Sequence, residues 1–282
     1  MSPKPTSHTG GKDVSDKASD AAEDAANSRS FQLAARAGYV AAGILHFVIG
    51  LIALGLATGG SGSADQSGAI RQLASYPYGI VLLWFCLVGC LALALFEFSE
   101  VFFGVRHLTG KDKLMARVKH GGRAVVYAAI GVTFGQFAVG GSSDSSSTMS
   151  SLSSTLMANP VGAALLLVVG VGVLGVAGYF AYSGATRHFR KKLTALPAGG
   201  AGQGIVALGT FGYIAKGFAL GVVGLLIIIS TITNDPEEST GLDGALKALR
   251  EQPFGVWLLG AVALGLMAYG VFMVIRSRYQ RL

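Results

Sequence analysis

The apolar run at residues 36–57, RAGYVAAGILHFVIGLIALGLA, constrains this chain more than any other stretch because it recurs. At 210–229 the sequence reads TFGYIAKGFALGVVGLLIII, with the same Gly-Tyr start. The step from Gly38 to Gly43 equals that from Gly212 to Gly217, and the step from Gly43 to Gly50 equals that from Gly217 to Gly224. A weaker copy lies at 119–138, where Arg123, Tyr127 and Gly131 fall in register with Ala42, His46 and Gly50. A recurring apolar unit cannot bury its faces alone and must stack on its copies. The expected unit is a membrane hairpin, present three times.

Composition narrows the class. Mean hydropathy is +0.55 and only 13% of residues are charged, against about 25% in soluble domains. Such a chain has too much apolar surface for one soluble core. Glycine is frequent, 41 of 282 residues, as expected where helices approach closely in lipid. The basic pI near 9.5 does not point to nucleic acid, because the basic residues sit in short segments between apolar runs. The first thirty residues hold no aromatic, leucine or isoleucine side chain, so 1–30 is expected to be a disordered tail. The first apolar run is too long for a signal peptide and is kept as a span.

Six runs reach the roughly 20 residues that a bilayer requires: 34–58, 78–103, 122–140, 160–183, 206–232 and 254–275, the third being the shortest and least apolar. The expected fold is an all-α integral membrane protein. Its six transmembrane helices form three tandem two-helix repeats, 34–103, 122–183 and 206–275, with pseudo-threefold symmetry and a short tail at 276–282. Eighteen basic residues flank the spans on one side: Lys4, Lys12, Lys17, Arg29 and Arg36, then Arg106, Lys111, Lys113, Arg117, Lys119 and Arg123, then Arg187, Arg190, Lys191 and Lys192, then Arg276, Arg278 and Arg281. Only Arg71, Lys247 and Arg250 lie on the other. This asymmetry predicts that both termini are cytoplasmic.

The outer connections repeat as well. Each ends in Pro-x-Gly: Pro77 to Gly79, Pro160 to Gly162 and Pro253 to Gly255. A leucine precedes each proline by four residues, at Leu73, Leu156 and Leu249. The stretches GAIRQLASY and LDGALKALREQ have helical apolar spacing and predict short helices at the outer interface. Proline suits the first turn of a helix, so the motif is expected to start each even span. A gate at these turns is the sharper alternative. The stretch GGSSDSSSTMSSLSS at 141–155 is expected to be a flexible outer loop.

The threefold repetition of a Gly-Tyr helix, an interfacial stretch and Pro-x-Gly with a second Gly-rich helix resembles the family called domain of unknown function 1206. The resemblance covers about 34–275. The middle copy departs from it, with Lys119-His120-Gly121-Gly122-Arg123 in place of Gly-Tyr. Members of that family are six-helix membrane proteins, mostly actinobacterial. The resemblance therefore implies the fold and a location in a bacterial plasma membrane, but no activity. Mitochondrial-type carriers share a plan of three two-helix repeats, yet their acidic and basic gate residues after proline are missing here.

Charged and polar groups inside spans are functional candidates. Glu97 and Glu100 lie near the inner end of the second span; Glu97 falls about 27 Å along the helix from Gly79. Arg123 and Lys216 occupy matching positions in repeats two and three. One expectation is an ion pair of Glu97 with Lys216 or Arg123 that locks helices together; the other is a proton or cation relay through Glu97. His46, near mid-helix, suits a hydrogen bond to a neighbouring helix, or a metal or proton. Gln136 is read in the same structural way. Cys86 and Cys90 are one turn apart without partner ligands and read as packing residues.

No carboxylate pair, Ser-His arrangement, Gly-rich phosphate loop or metal cluster is evident, so neither enzymatic activity nor a cofactor is expected. Gly43 and Gly50, Gly217, Gly221 and Gly224, and Ala124, Ala128 and Gly131 form three small-residue stripes, expected to bring the odd helices together or to leave an apolar groove between them. The favoured reading is an accessory bundle that contacts lipid or a small molecule, with the bilayer and a bound lipid or small solute as partners and no nucleic acid. The alternative is an ion- or proton-coupled transporter or channel using Glu97, Lys216 and His46.

Overall fold

The computed structural model describes residues 29–102, 110–142, 144–194, 196–239 and 241–280. The expected tail at 1–30 lies almost wholly outside these residues, as do Arg106 and Arg281. Nine α-helices are present among them: α1 (Arg29–Ala57), α2 (Gln66–Ala74), α3 (Gly79–Phe102), α4 (Gly110–Ala138), α5 (Ser145–Met157), α6 (Pro160–Ala185), α7 (Gly200–Thr233), α8 (Gly241–Glu251) and α9 (Gly255–Tyr279), with short 3-10 segments at His188–Lys192 and Pro236–Glu238. Five carry stretches long and apolar enough to cross a membrane: Gly38–Ala57, Gly79–Val101, Pro160–Ala185, Gly200–Thr233 and Gly255–Tyr279. The expected third span, 122–140, is helical as part of α4 up to Ala138, but Arg123 and Gln136 keep it less apolar than the other five.

The tightest helix pairs join consecutive repeats rather than the two helices of one repeat. α3 packs along α4, α6 along α7, and α9 returns to α1. The small-residue stripes explain this. A Cβ on Gly43 would stand 2.7 Å from the Gly270 carbonyl oxygen, and one on Gly270 2.6 Å from that of Gly43. One on Gly217 would stand 2.8 Å from the Ala177 carbonyl oxygen. At Gly131 the nearest atom, Cys90 Cβ, is 3.3 Å from such a carbon. Without a hydrophobic force between helices in lipid, close van der Waals contact of this kind drives association. The stripes thus face the even helix of the preceding repeat, not one another, which corrects the expectation of an odd-helix seam. Cys86 and Cys90 are free thiols packed at the α3–α4 contact.

The cyclic order of pairing is threefold, but burial is not. In the spanning window of α9, 56% of residues are buried, against 11% in α3. α9 also packs on α7 and α8, where a Cβ on Gly265 would collide with Ala215. One face of α3 presents Trp84, Phe85, Val88, Leu95 and Phe98 outward.

Each Pro-x-Gly turn works the same way. A Cβ on Gly79 would collide with the Leu73 carbonyl, on Gly162 with that of Leu156, and on Gly255 with those of Leu249 and Arg250. The glycine and the preceding leucine are therefore one steric device that folds the chain back into the bundle. Proline opens the helix only in the second repeat, where Asn159 caps α6 by accepting from the Gly162 N–H at 2.8 Å. Pro77 and Pro253 precede α3 and α9 by two residues, and Phe254 takes a left-handed conformation, φ 61°. The expectation that proline starts every even span is corrected accordingly.

The three short helices α2, α5 and α8 form a cap at one end. The 141–155 stretch is not a loop: Ser145–Met157 is helical. Serine is a poor helix former that competes for backbone groups, yet here that competition is turned inward. Asp144 accepts from the N–H groups of Ser146 and Ser147, and Thr148 Oγ1 donates to the Asp144 carbonyl at 2.8 Å. Hydroxyls then join the repeats: Ser67 to Ser145 at 2.6 Å, and Ser153 to Ser239 at 2.8 Å. The buried Asp243 carboxylate accepts from the Ala64 N–H at 2.8 Å and from Lys247 at 2.7 Å. Beneath the cap, Ile70, Leu83, Leu246 and Leu259 are fully buried.

Candidate functional site

Three polar nodes lie within or at the margins of the spans. The first joins α3 to α4. Glu97, buried to 8% exposure, receives His120 Nδ1 at 2.7 Å and Arg123 at 3.4 Å. The expected ion pair of Glu97 with Arg123 forms. The alternative partner, Lys216, is not brought to Glu97. His120 is not among the candidates the sequence singles out, although it stands where repeats one and three have the motif tyrosine; that departure is the available signal. Glu100 makes no hydrogen bond or ion pair among the described residues.

The second node joins α1 to α7. Lys216 Nζ lies 2.9 Å from His46 Nε2, and His46 Nδ1 lies 2.7 Å from the Ala42 carbonyl oxygen. A carbonyl only accepts, so Nδ1 carries the hydrogen and Nε2 accepts from the lysine. The Lys216 Nζ sits over two aromatic faces, 4.4 Å from the Tyr269 centroid and 4.9 Å from that of Phe180. Tyr269 also meets the His46 ring edge-on at 5.0 Å. Desolvated faces of this kind stabilise a cation by roughly 2 kcal/mol. His46 thus bonds a neighbouring helix, the structural one of its expected roles.

The third node is at the bundle end that carries the termini of α1, α7 and α9. Buried Arg276 donates to the Tyr213 hydroxyl at 2.8 Å and to Gln280 at 2.7 Å, and lies over the Tyr39 ring at 5.0 Å. Both motif tyrosines therefore converge on one arginine. Sequence reasoning counted Arg276 only as a flanking charge, since it closes an apolar run where basic residues are routine.

The nodes share a register. Glu97, Phe180 and Met273 each stand twenty residues after their repeat's proline. Glu97 meets Arg123 and Phe180 meets Lys216, two residues in one register; Met273 belongs to an apolar cluster against which Ala42, the third residue of that register, packs. One site in the repeat thus holds an ion pair, a cation over an aromatic face, and an apolar cluster. Among the described residues no hydrogen bond or ion pair links the first node to the second, and no group of three His, Cys, Asp or Glu side chains is placed to hold a metal ion.

The fold and these nodes define a helical membrane protein built from three tandem repeats, with polar side chains joining helices across repeat boundaries. The chain belongs to the Domain of Unknown Function (DUF1206) family, which matches it three times, over residues 37–104, 118–187 and 211–280. It is 28% identical over 257 residues to the uncharacterized protein YxxB of Bacillus subtilis (strain 168), spanning 88% of this chain and 90% of that protein. No solved structure matches it.

Proposed function

We propose that this protein is a non-enzymatic bundle of the bacterial plasma membrane that acts by contacting lipid or a small amphiphile. The observation that carries the reading is how the spans use their polar groups. Glu97, Lys216, His46 and Arg276 are each engaged by side chains of a neighbouring helix, and an ion path needs a continuous polar file. Both termini are proposed to be cytoplasmic, from the basic asymmetry. In a cysteine-free background, thiol labelling of intact cells should mark Ser146→Cys and spare Ser28→Cys; the reverse would invert the layout.

A second reading rests on the 2.9 Å contact of Lys216 with His46, a pair chemically able to pass a proton. Reconstitution in liposomes with an ion panel and a proton dye separates the two. The lipid-contact reading expects flux no greater than in empty liposomes. Rapid, saturable flux lost in Glu97→Gln or His46→Ala would assign transport instead.

A further inference from the structure

At the end of the bundle that holds Arg276, a cavity of about 980 Å³ opens between the α6–α7 connection and the first turns of α7. Its origin is a mismatch of helix lengths. α7 has 34 residues, about 51 Å at the usual rise, well beyond the roughly 30 Å of bilayer hydrocarbon. Its early turns therefore project past the point where α6 stops. Near its end α6 meets α7 at Gly184, where a Cβ would stand 3.0 Å from the Thr210 carbonyl oxygen. The chain then leaves through Arg187, held in the left-handed region at φ 55°. Phe189 is buried under Gly209, so the connection is pinned to one side of α7 and the other side stays open.

The lining is graded along the helix. At the connection it offers Arg187, Arg190 and Thr194; deeper it turns to Val206, Phe211 and Ile214. Both arginines are exposed and form no ion pair among the described residues. Gly199, the residue that precedes α7, has φ 76° and gives no side-chain cap, so the first N–H groups of α7 add positive potential at the same end. Midway, the buried Thr210 hydroxyl has no hydrogen-bond partner. The cavity wall thus runs from cationic at the connection to apolar along α7, over about 20 Å. That gradient matches one molecule: an amphiphile with an anionic head at the interface and an acyl chain beside the helix.

We propose that this cavity is a binding site for an anionic phospholipid, its phosphate held by Arg187 and Arg190 and its chain lying along Phe211 and Ile214. The proposal deepens the lipid-contact reading by naming the lipid class and its place. It does not depend on the absence of transport, because a transporter can carry the same site.

The test is native mass spectrometry of the full chain from detergent, titrated with phosphatidylglycerol or phosphatidylcholine. Wild type is expected to retain phosphatidylglycerol in preference. Loss of one arginine should lower that affinity about fivefold, the effect of one interfacial charge, and R187Q/R190Q together by roughly twentyfold. R187K/R190K should keep most of the preference, which separates charge from damage to the fold. Inorganic phosphate at millimolar concentration should not displace the lipid. Full displacement by phosphate would make the site a free-anion site. Equal retention of the two lipids, or an unchanged preference in the glutamine variant, would overturn the proposal, whatever the flux assay shows.

Discussion

The α3–α4 contact and the α6–α7 contact are copies of one interface that handle a buried cation in opposite ways. At α3–α4, Arg123 meets the Glu97 carboxylate, with His120 completing the group. At α6–α7, the equivalent cation Lys216 meets the ring of Phe180 instead, and draws Tyr269 and His46 from the third and first repeats. The first solution is local to two helices. The second ties four helices together. Burial differs alongside: of the five most apolar spans α3 is the least buried and α9 the most. Repeats that keep one backbone plan thus diverge at this register position while their helices differ in how deeply they are enclosed.

The strongest way to break this comparison is through the glycines that set helix distance. Gly217→Leu should force α6 from α7, because its Cβ meets backbone at 2.7–2.8 Å; a loss of about 3 kcal/mol is expected. Gly43→Leu should behave alike at α1–α9. Ala124→Leu should cost less, since a Cβ is already accommodated there. Thermal unfolding in detergent gives the order, and a larger loss for Ala124→Leu would show that the α3–α4 contact is no looser.

Next come the cations themselves. Glu97→Gln should destabilise by roughly 1–3 kcal/mol, by removing the carboxylate charge and one of the two oxygens that accept from His120 and Arg123. In double-mutant cycles it should couple to His120→Phe and not to Lys216→Met. Coupling to Lys216 would mean that the two nodes communicate, contrary to the separation described here.

A milder contrast lies in the cap, where Asp65 and Asp144 open α2 and α5. Asp65 is buried and one carboxylate oxygen lacks a partner. Burial pushes its pKa above the ordinary carboxylate value, against the pull of the Gly68 N–H and Ser145, and nearby Asp243 and Asp144 push the same way. A raised folded pKa means that the native state holds its proton longer than the unfolded chain. Stability is then greatest below the unfolded carboxylate value and falls as pH rises through the folded one. Asp65→Asn should flatten that segment of the stability–pH curve; an unchanged slope would remove Asp65 as its cause. Asp144→Ala, at an exposed cap, should cost only about 1 kcal/mol.

The periodicity of glycines and prolines was readable as three repeats because a steric requirement recurs wherever the backbone does the same thing. Glu97 was readable as paired because a carboxylate in an apolar run needs a partner. Its partner was not, since Arg123 and Lys216 stand in the same register and only packing separates them. The Ser-rich helix α5 was hidden by composition: its hydroxyls favour loops until Asp144 caps it and Ser239 receives Ser153.

The sequence by itself determined the membrane class, the threefold unit and the small-residue stripes, all of which follow from local apolarity and spacing. Tertiary structure decided which helices the stripes meet. It seated Lys216 on aromatic faces rather than on a carboxylate, and it drew both motif tyrosines to Arg276. The physical reason is that spacing fixes which face of a helix is small or charged, whereas the partner of that face is chosen by the whole bundle, through contacts such as that of Lys216 with His46, 170 positions away.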